Sequence, residues 1–160
     1  MIFLTVGGRY GFDRLVQAVD EMVGNGEIVE PVTAQIGLGA YEPRHMEFER
    51  FIVGPRYDDR VRDAHMLIGH AGSGTISLAV AHEKPLLVMP RRRRYNEHVN
   101  DHQVATARTF ERLQQLLAAD NEHQLSSKFA VLHTFVPQRR VARVDDLANR
   151  VGDFLRSIDR

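Results

Sequence analysis

The sequence has no cysteine, which excludes both a disulfide framework and a thiolate metal site. It also lacks any apolar stretch near the roughly 20 residues that span a bilayer, and its opening segment MIFLTVGG has no basic flank of the kind that precedes a signal peptide. Lys plus Arg and Asp plus Glu number 21 each, so no excess of one charge draws the whole chain to nucleic acid or to a membrane. We therefore expect a cytoplasmic protein that reaches a membrane only through a surface patch or a partner.

The 160 residues are 43% hydrophobic, which is enough for one ordinary core, and we expect a single domain spanning residues 1–160. Short apolar runs predict strands at residues 2–6, 32–36, 51–53, 66–69 and 85–89. Helical spacing of apolar residues predicts helices at residues 12–22, 55–64, 72–82, 98–108 and 144–158. The segment 110–119 fits a helix or a strand at 115–118 equally well. This alternation predicts an α/β, Rossmann-like parallel sheet with helices on both faces.

Two glycine-rich turns follow predicted strands: Gly7-Gly8, and the run from Ala71 to Thr75 that contains Gly72, Ser73 and Gly74. Ligands of open parallel sheets bind beyond the carboxyl ends of the strands, and the free N–H groups of a helix N-terminus suit a diphosphate. Alternatively, the glycines only make tight turns and Ser73 only caps the helix. Neither turn is a P-loop or a G-x-G-x-x-G motif. Two such turns in one small domain favour a nucleotide site.

The segment PRRRRYNEHVNDHQ is unusually polar for one that follows a buried strand. Side chains that can grip hydroxyl groups of a ribose or a sugar begin the predicted helix: Glu97, His98, Asn100, Asp101, His102 and Gln103. A solvated helix N-terminus is the alternative. His98 and His102 have a spacing that can bind metal, but the His-Glu-x-x-His motif is absent, and we expect no metal.

The four arginines Arg91–Arg94 suit phosphates, nucleic acid or an acidic partner. Single-stranded RNA binding usually adds exposed aromatic side chains, and only Tyr95 lies nearby, so an RNA-binding domain is the less favoured alternative. His70, at a strand end beside the second glycine turn, is either a base or ligand contact, or a residue that hydrogen-bonds a neighbouring loop.

Three segments taken together resemble the C-terminal, donor-binding half of the family 28 glycosyltransferases. They are MIFLTVGGRYGFDRLVQAVDE, IGHAGSGTISLAVAHEKPLLVMP and RRRRYNEHVNDHQVATA, and they lie in family order within residues 1–107. Within the family, the chain is most similar to small catalytic subunits of two-part enzymes that act in lipid-linked oligosaccharide, capsule and exopolysaccharide synthesis.

The resemblance implies one half of a GT-B enzyme, an inverting hexosyltransferase that moves a sugar from a UDP-sugar to a lipid-linked saccharide acceptor in exopolysaccharide or capsule biosynthesis. It implies a membrane-associated partner subunit that binds the acceptor and recruits this chain to the cytoplasmic face of the membrane. It implies neither a metal nor another cofactor, nor a nucleic-acid partner. A non-catalytic nucleotide-sugar-binding subunit is the alternative, and the donor sugar stays open among glucuronate, galactose, glucose and N-acetylglucosamine.

The resemblance also implies roles by position. Gly7 and Gly8 would line the cleft. The diphosphate would lie against His70, Gly72, Ser73, Gly74 and Thr75. Ribose or the transferred sugar would contact Glu97, His98, Asp101, His102 and Gln103. In the reaction, we expect the helix N-terminus at Gly72–Thr75 and one of Arg91–Arg94, with Arg91 the first candidate, to stabilise the charge of the leaving group. The catalytic base would be His70 or a group of the partner subunit.

The chain departs from the family pattern at three positions. Gly8 stands where relatives commonly have Thr or Ser, so a hydroxyl contact is missing there. Leu78 stands where single-chain members have a ribose-binding Glu. Glu83 replaces the glycine that usually precedes Lys-Pro, in a turn that often needs a positive φ.

Overall fold

A computed structural model of the protein describes residues 1–138, which form one parallel sheet of six strands in the order β3-β2-β1-β4-β5-β6. The strands are β1 (Ile2–Thr5), β2 (Val32–Gln35), β3 (Glu47–Glu49), β4 (Met66–His70), β5 (Leu86–Met89) and β6 (Leu117–Ala118). Every neighbouring pair is parallel. This is the strand order of doubly wound nucleotide-binding sheets, so the predicted Rossmann-like α/β fold is confirmed.

Helices cover both faces of the sheet. They are α1 (Asp13–Gly24), α2 (Pro55–Asp63), α3 (Ser73–Ala81), α4 (His102–Arg112) and α5 (Leu125–Leu132). Helices α1 and α5 pack on one face and share a core with Ile2 and Leu4 of β1. Helices α2, α3 and α4 pack on the other face, where Phe3 of β1 joins the core. Successive residues of β1 are therefore buried on opposite faces, which is why this strand is apolar at nearly every position.

The predicted strand at residues 51–53 is wrong. The third strand is β3, which ends at Glu49, two residues before the predicted strand begins. It pairs with β2 through Thr33↔Glu47 and Gln35↔Glu49. The apolar letters of 51–53 suggested a buried strand, but Phe51 and Val53 are exposed and only Ile52 enters the core. Strand β3 carries charged residues because it is an edge strand in the described sheet, and edge strands tolerate exposed charge.

The segment 110–119, for which the sequence allowed a helix or a strand, contains the end of a helix and a short strand. Helix α4 continues to Arg112, Gln114 turns the chain with φ +54°, and Leu117 and Ala118 form β6 beside β5.

Helix α4 begins at His102, four residues later than predicted. The preceding residues turn instead, because Asn96 has left-handed backbone angles (φ +57°) and Asn100 accepts a hydrogen bond from the backbone N–H of His102. Glu97, His98 and Asp101 therefore lie in the loop before the helix.

The predicted helix at 144–158 lies outside the described residues, as does the last part of the predicted single domain. Among the helices of residues 1–138, none is long and apolar enough to span a membrane.

Candidate functional site

Because all strands are parallel, the segments that follow their carboxyl ends gather at one edge of the sheet. The segments 6–12 after β1, 71–72 after β4 and 90–101 after β5 meet there. They contain Gly7, Gly8 and Gly72 together with Arg91–Arg94, Glu97, His98 and Asp101, and the N-terminus of α3, with Ser73 and Gly74, opens into the same space.

The imidazole of His70 fills the space beside two glycines. A Cβ placed on Gly7 would lie 3.0 Å from the Cε1 atom of His70, and a Cβ placed on Gly72 would overlap its Nε2 atom. Gly7 also has φ +71°, a conformation that favours glycine. Both glycines thus have a structural reason in addition to the ligand contact predicted for them.

Burial, together with the nearby charges of Arg91 and His98, lowers the pKa of His70 to about 3. The ring is therefore neutral at pH 7, with Nδ1 3.5 Å from the carbonyl oxygen of Thr5. A group with so low a pKa is a weak general base at neutral pH. The surroundings suit His70 to hydrogen bonding more than to proton abstraction.

The N-terminus of α3 has backbone donors that the helix itself does not use. Its first backbone bond runs from the N–H of Ile76 to the carbonyl of Gly72, so the N–H groups of residues 73–75 have no acceptor within the helix. The N-cap is Gly72, which has no side chain, and Ser73 is the first helical residue. The alternative reading of Ser73 as the cap is therefore wrong. Ser73 and Gly74 are exposed, and a Cβ on Gly74 would meet no neighbouring atom within 4 Å.

Thr75 differs from its two predecessors, because it is only 5% exposed. Its hydroxyl oxygen lies 3.4 Å from the Tyr57 hydroxyl, on the side of α3 that faces α2.

Arg91 is 2% exposed and lies behind the segment that follows β1. Its Nη2 atom donates to the carbonyl oxygens of Val6 (2.6 Å) and Tyr10 (2.7 Å), and its Nε atom donates to the carbonyl oxygen of Gly11 (3.4 Å). Burial lowers the pKa of Arg91 to about 10, so the guanidinium remains charged at pH 7. The Nε and Nη2 atoms of Arg91 thus donate to backbone carbonyl oxygens of the chain. We had predicted that Arg91 contacts the leaving group.

Gln103 supports the same arrangement from α4. It is 3% exposed, and its side-chain oxygen accepts from the backbone N–H of Arg91 at 3.1 Å. The predicted role of Gln103 at a ribose or sugar would leave only its amide nitrogen for the ligand.

Glu97, predicted to contact ribose or sugar, has both carboxylate oxygens occupied. Arg14 of α1 donates from Nε to Oε1 (2.8 Å) and from Nη2 to Oε2 (2.9 Å), and the backbone N–H of Arg92 also donates to Oε2 at 2.9 Å. Arg14 also bonds Glu122 at 2.7 Å. Burial lowers the pKa of Arg14, but its hydrogen bonds to Glu97 and Glu122 outweigh burial and raise that pKa, while a backbone hydrogen bond and Arg14 lower the pKa of Glu122. Glu97 therefore fastens the segment after β5 to α1. No local pattern indicates Arg14, which lies 83 positions away from Glu97.

His98 lies among aromatic and cationic groups at the same edge. Its ring centroid is 5.2 Å from that of Tyr10 and 4.6 Å from that of His102. Burial and the charges of His102, Arg91 and Arg9 lower the pKa of His98. The charges of Arg91 and His98 also act on the pKa of His70, so the three residues lie at the same edge of the sheet. The sequence analysis missed Arg9 and Tyr10, although they directly follow the Gly7-Gly8 turn.

Asp101 and His102 complete the segment before α4. One Asp101 oxygen accepts from the backbone N–H of Arg93 at 2.8 Å, while the His102 ring bonds the side-chain oxygen of Asn100. Both residues are exposed at the edge of the sheet. Beside this region, a cavity of about 490 Å³ lies between the segments that follow β1, β2 and β5. Among residues 1–138 we find no group of three or more side chains that could hold a metal ion.

The fold and this edge together define the class: a Rossmann-like domain equivalent to the C-terminal half of a GT-B glycosyltransferase. The family model "Glycosyltransferase family 28 C-terminal domain" matches residues 1–140, and the chain belongs to that family. The resemblance noted in the sequence is thereby confirmed. Comparison with curated proteins gives no match.

Solved structures show the same fold at low sequence identity. The glycotransferase of kitacinnamycin aligns with a TM-score of 0.62 at 19% identity, over 82% of this chain and 34% of that one. MurG of Acinetobacter baumannii aligns with a TM-score of 0.56 at 18% identity, over 84% of this chain and 42% of that one. The chain thus spans about a third to two fifths of the length of these two. The solution structure of ALG13 aligns with a TM-score of 0.57 at 18% identity, over 92% of each chain.

Proposed function

We propose that this chain is the donor-binding, catalytic subunit of a two-part glycosyltransferase. It binds a UDP-sugar, and a membrane-associated partner subunit supplies a lipid-linked saccharide acceptor and holds the chain at the cytoplasmic face of the membrane, in exopolysaccharide or capsule biosynthesis. Family membership supports sugar transfer. The likeness of its three motif segments to the small subunits of two-part enzymes supports a division of the enzyme between two polypeptides.

The observation that carries the donor site is the open N-terminus of α3. Three backbone N–H groups lack acceptors within the helix, the helix dipole adds partial positive charge, and the Gly74 position leaves space for a ligand close to the main chain. His70 stands beside these donors in its neutral form, and it donates to a phosphate oxygen only as the tautomer that carries its proton on Nε2 rather than on the Nδ1 that faces Thr5. The predicted carboxylate Glu97 is paired with Arg14, which offsets its repulsion of an anion.

The sugar then lies toward the segment after β5. His98, Asp101 and His102 are the groups of that segment that reach the edge of the sheet, so we assign them to the ribose or the transferred sugar. Arg91, Glu97 and Gln103 hold the surrounding segments in position by the bonds described above. The identity of the sugar stays open among the four donors already named.

The proposed reaction is a direct displacement with inversion. The acceptor hydroxyl attacks the anomeric carbon, the bond from that carbon to the diphosphate oxygen breaks, and UDP leaves with the bonding electrons. Backbone N–H groups of α3 stabilise the negative charge as it develops, which requires no metal ion. The hydroxyl proton passes to a base, and because the pKa of His70 is about 3, we assign that base to the partner subunit.

Isothermal titration calorimetry with UDP tests the donor site directly. The variant Ser73→Asp places a negative charge among the proposed phosphate donors at an exposed position, where an acidic residue stabilises a helix N-terminus. We expect it to fold and to lose UDP binding. Ala81→Asp adds the same charge at the exposed last residue of α3 and is the matched control, which should bind UDP as the unmodified protein does. Equal UDP affinity in Ser73→Asp and the unmodified protein would refute the site.

A donor panel, assayed with the co-expressed partner in membranes, tests the catalytic role. Transfer from one of the four UDP-sugars is the expected result. UDP binding without transfer would instead identify a non-catalytic donor-binding subunit. RNA binding that weakens steeply with salt, combined with no uptake of UDP, would identify the nucleic-acid alternative.

A further inference from the structure

Three hydroxyl groups connect the two glycine turns across the end of the sheet. The backbone N–H of Gly7 donates to Oγ1 of Thr5 at 3.2 Å, and this oxygen lies 3.1 Å from the Tyr57 hydroxyl. The Tyr57 hydroxyl in turn lies 3.4 Å from Oγ1 of Thr75, in the first turn of α3. A residue of α2 thus bridges the turn after β1 and the N-terminus of α3.

The direction of these hydrogen bonds follows from which groups can donate. The backbone N–H of Gly7 can only donate, so Thr5 accepts from it and has its own proton left. Thr5 is fully buried, and a buried donor normally has an acceptor. The neighbour that fits is the Tyr57 oxygen. Tyr57, having accepted one proton, directs its single proton to Thr75, and the hydroxyl proton of Thr75 is left to donate elsewhere.

The packing around the three hydroxyls fixes their positions. A Cβ on Gly69 would lie 3.4 Å from the γ-methyl of Thr75 and 3.5 Å from that of Thr5, so the bare backbone of β4 makes room for both. The Tyr57 ring packs edge-on against Phe3 of β1, with ring centroids 5.7 Å apart. Replacing Tyr57 by Phe therefore removes the hydroxyl while the ring can keep its contact.

We infer that Tyr57 is a positioning residue of the donor site, which orients the Thr75 hydroxyl as a proton donor to a phosphate oxygen of the nucleotide. The inference rests on the proposed function, because the phosphate belongs to the UDP moiety of the donor. It assigns a role to α2, an element that contributes no residue to the site by the family motifs. Thr75 is then a contact that depends on Tyr57, unlike the exposed Ser73 and Gly74.

The test compares UDP affinities, measured by calorimetry, in Tyr57→Phe, Thr75→Val and the double variant. Losing one hydrogen bond to a charged phosphate corresponds to roughly a 12- to 160-fold loss of affinity. We expect Thr75→Val to fall in this range, and Tyr57→Phe to fall in or just below it. The double variant should be no weaker than Thr75→Val, because both changes affect the same proton. Thr75→Ser keeps the hydroxyl and should retain binding. Uridine, which has no phosphate, should bind all variants equally by ligand-observed NMR.

Tyr41→Phe is the matched control, because it also removes a partly buried tyrosine hydroxyl that donates a hydrogen bond, here to Asp20 at 2.8 Å. It should leave UDP affinity unchanged. Unchanged UDP affinity in Tyr57→Phe, losses that multiply in the double variant, or an equal loss of uridine would each overturn the inference. If the unmodified protein takes up no UDP, the proposed function fails and this inference fails with it. If the unmodified protein binds UDP and only the comparison fails, the proposed function stands.

Discussion

The Nε2 atom of His70 lies where a Cβ of residue 72 would stand, so the side chain at the end of β4 and the N-cap of α3 can coexist only while residue 72 is a glycine. The same imidazole closely approaches Gly7 across the sheet. One neutral ring therefore packs against both glycine turns.

Gly72→Ala should destabilise the protein even without a ligand, because the added methyl group overlaps His70 and forces the ring or the turn to move. Overpacking of this kind costs roughly 1–3 kcal/mol. Gly74→Ala is the matched control: it meets open space within the same helix and should be neutral or stabilising by up to about 1 kcal/mol. Thermal unfolding of both variants, without nucleotide, measures the difference. Equal melting temperatures would contradict the described packing of His70.

The stability of the protein should depend on the protonation of His70. The pKa of His70 is about 3 when folded and near 6.5 in a model peptide, so between these values the unfolded chain binds a proton that the folded chain does not. The contribution of His70 to the free energy of unfolding is therefore fully present above pH 6.5. It is lost as the pH falls toward 3, by up to about 1.4 kcal/mol per pH unit.

Urea unfolding at several pH values from 4.5 to 7.5 measures this dependence. His70→Asn should have a shallower slope below pH 6.5 than the unmodified protein, whereas His123→Asn, at an exposed position, should keep the original slope. In NMR spectra, the imidazole nitrogens of His70 should not titrate between pH 5 and 8. A His70 titration centred near 6.5 would refute its neutral, desolvated state.

Arg91→Lys should destabilise the protein although it preserves the charge. A lysine ammonium cannot reproduce the planar fork that contacts three carbonyl oxygens of one turn. Losing hydrogen bonds to a charged group costs roughly 1.5–3 kcal/mol. Arg94→Lys, at an exposed position beside it, should lie within about 0.5 kcal/mol of the unmodified protein. Urea unfolding gives both values, and hydrogen exchange of residues 7–11 should accelerate only in Arg91→Lys.

Arg14 and Glu97 should be coupled in a double-mutant cycle. The pair is bidentate, with side chains only 16% and 10% exposed, so we expect a coupling energy of about 1–3 kcal/mol from Arg14→Gln and Glu97→Gln. The exposed pair Arg62 and Asp59 within α2 provides the comparison, where coupling should not exceed about 0.5 kcal/mol. Equal coupling in the two pairs would show that burial does not strengthen the contact between α1 and the segment after β5.

Much of the fold was readable because the central strands are buried on both faces. β1, β4 and β5 are almost entirely apolar and end at glycine or at the start of a polar segment, so their positions follow from local pattern. Glu83 has φ +52°, so the turn keeps the positive φ of a position that commonly carries glycine, although the glutamate had put that geometry in question. The edge strand β3 could not be predicted from its own composition, because it is a strand only through its pairing with β2.

The sequence predicted where the candidate site lies in the fold, but not the hydrogen bonds within it. The glycine turns and His70 stand in short segments whose location follows from the strands. The roles of Arg91 and Glu97, however, depend on partners 80 or more positions away, and no local pattern records such contacts. The hydroxyl contact of Tyr57 with Thr5 likewise joins residues 52 positions apart. Sequence motifs therefore located the edge of the sheet without separating ligand contacts from the groups that hold the backbone.

Strand β3 has a consequence for experiments in concentrated solution. It is three residues long, its first and last residues are glutamates, and Glu49 bonds Arg56 and Arg60 of α2. In the described part of the chain its outer side faces no further strand. So short and charged a border is a poor template for a strand of a second molecule. At millimolar concentrations, aggregation by extension of the sheet at this border should therefore be suppressed, and light scattering should stay low.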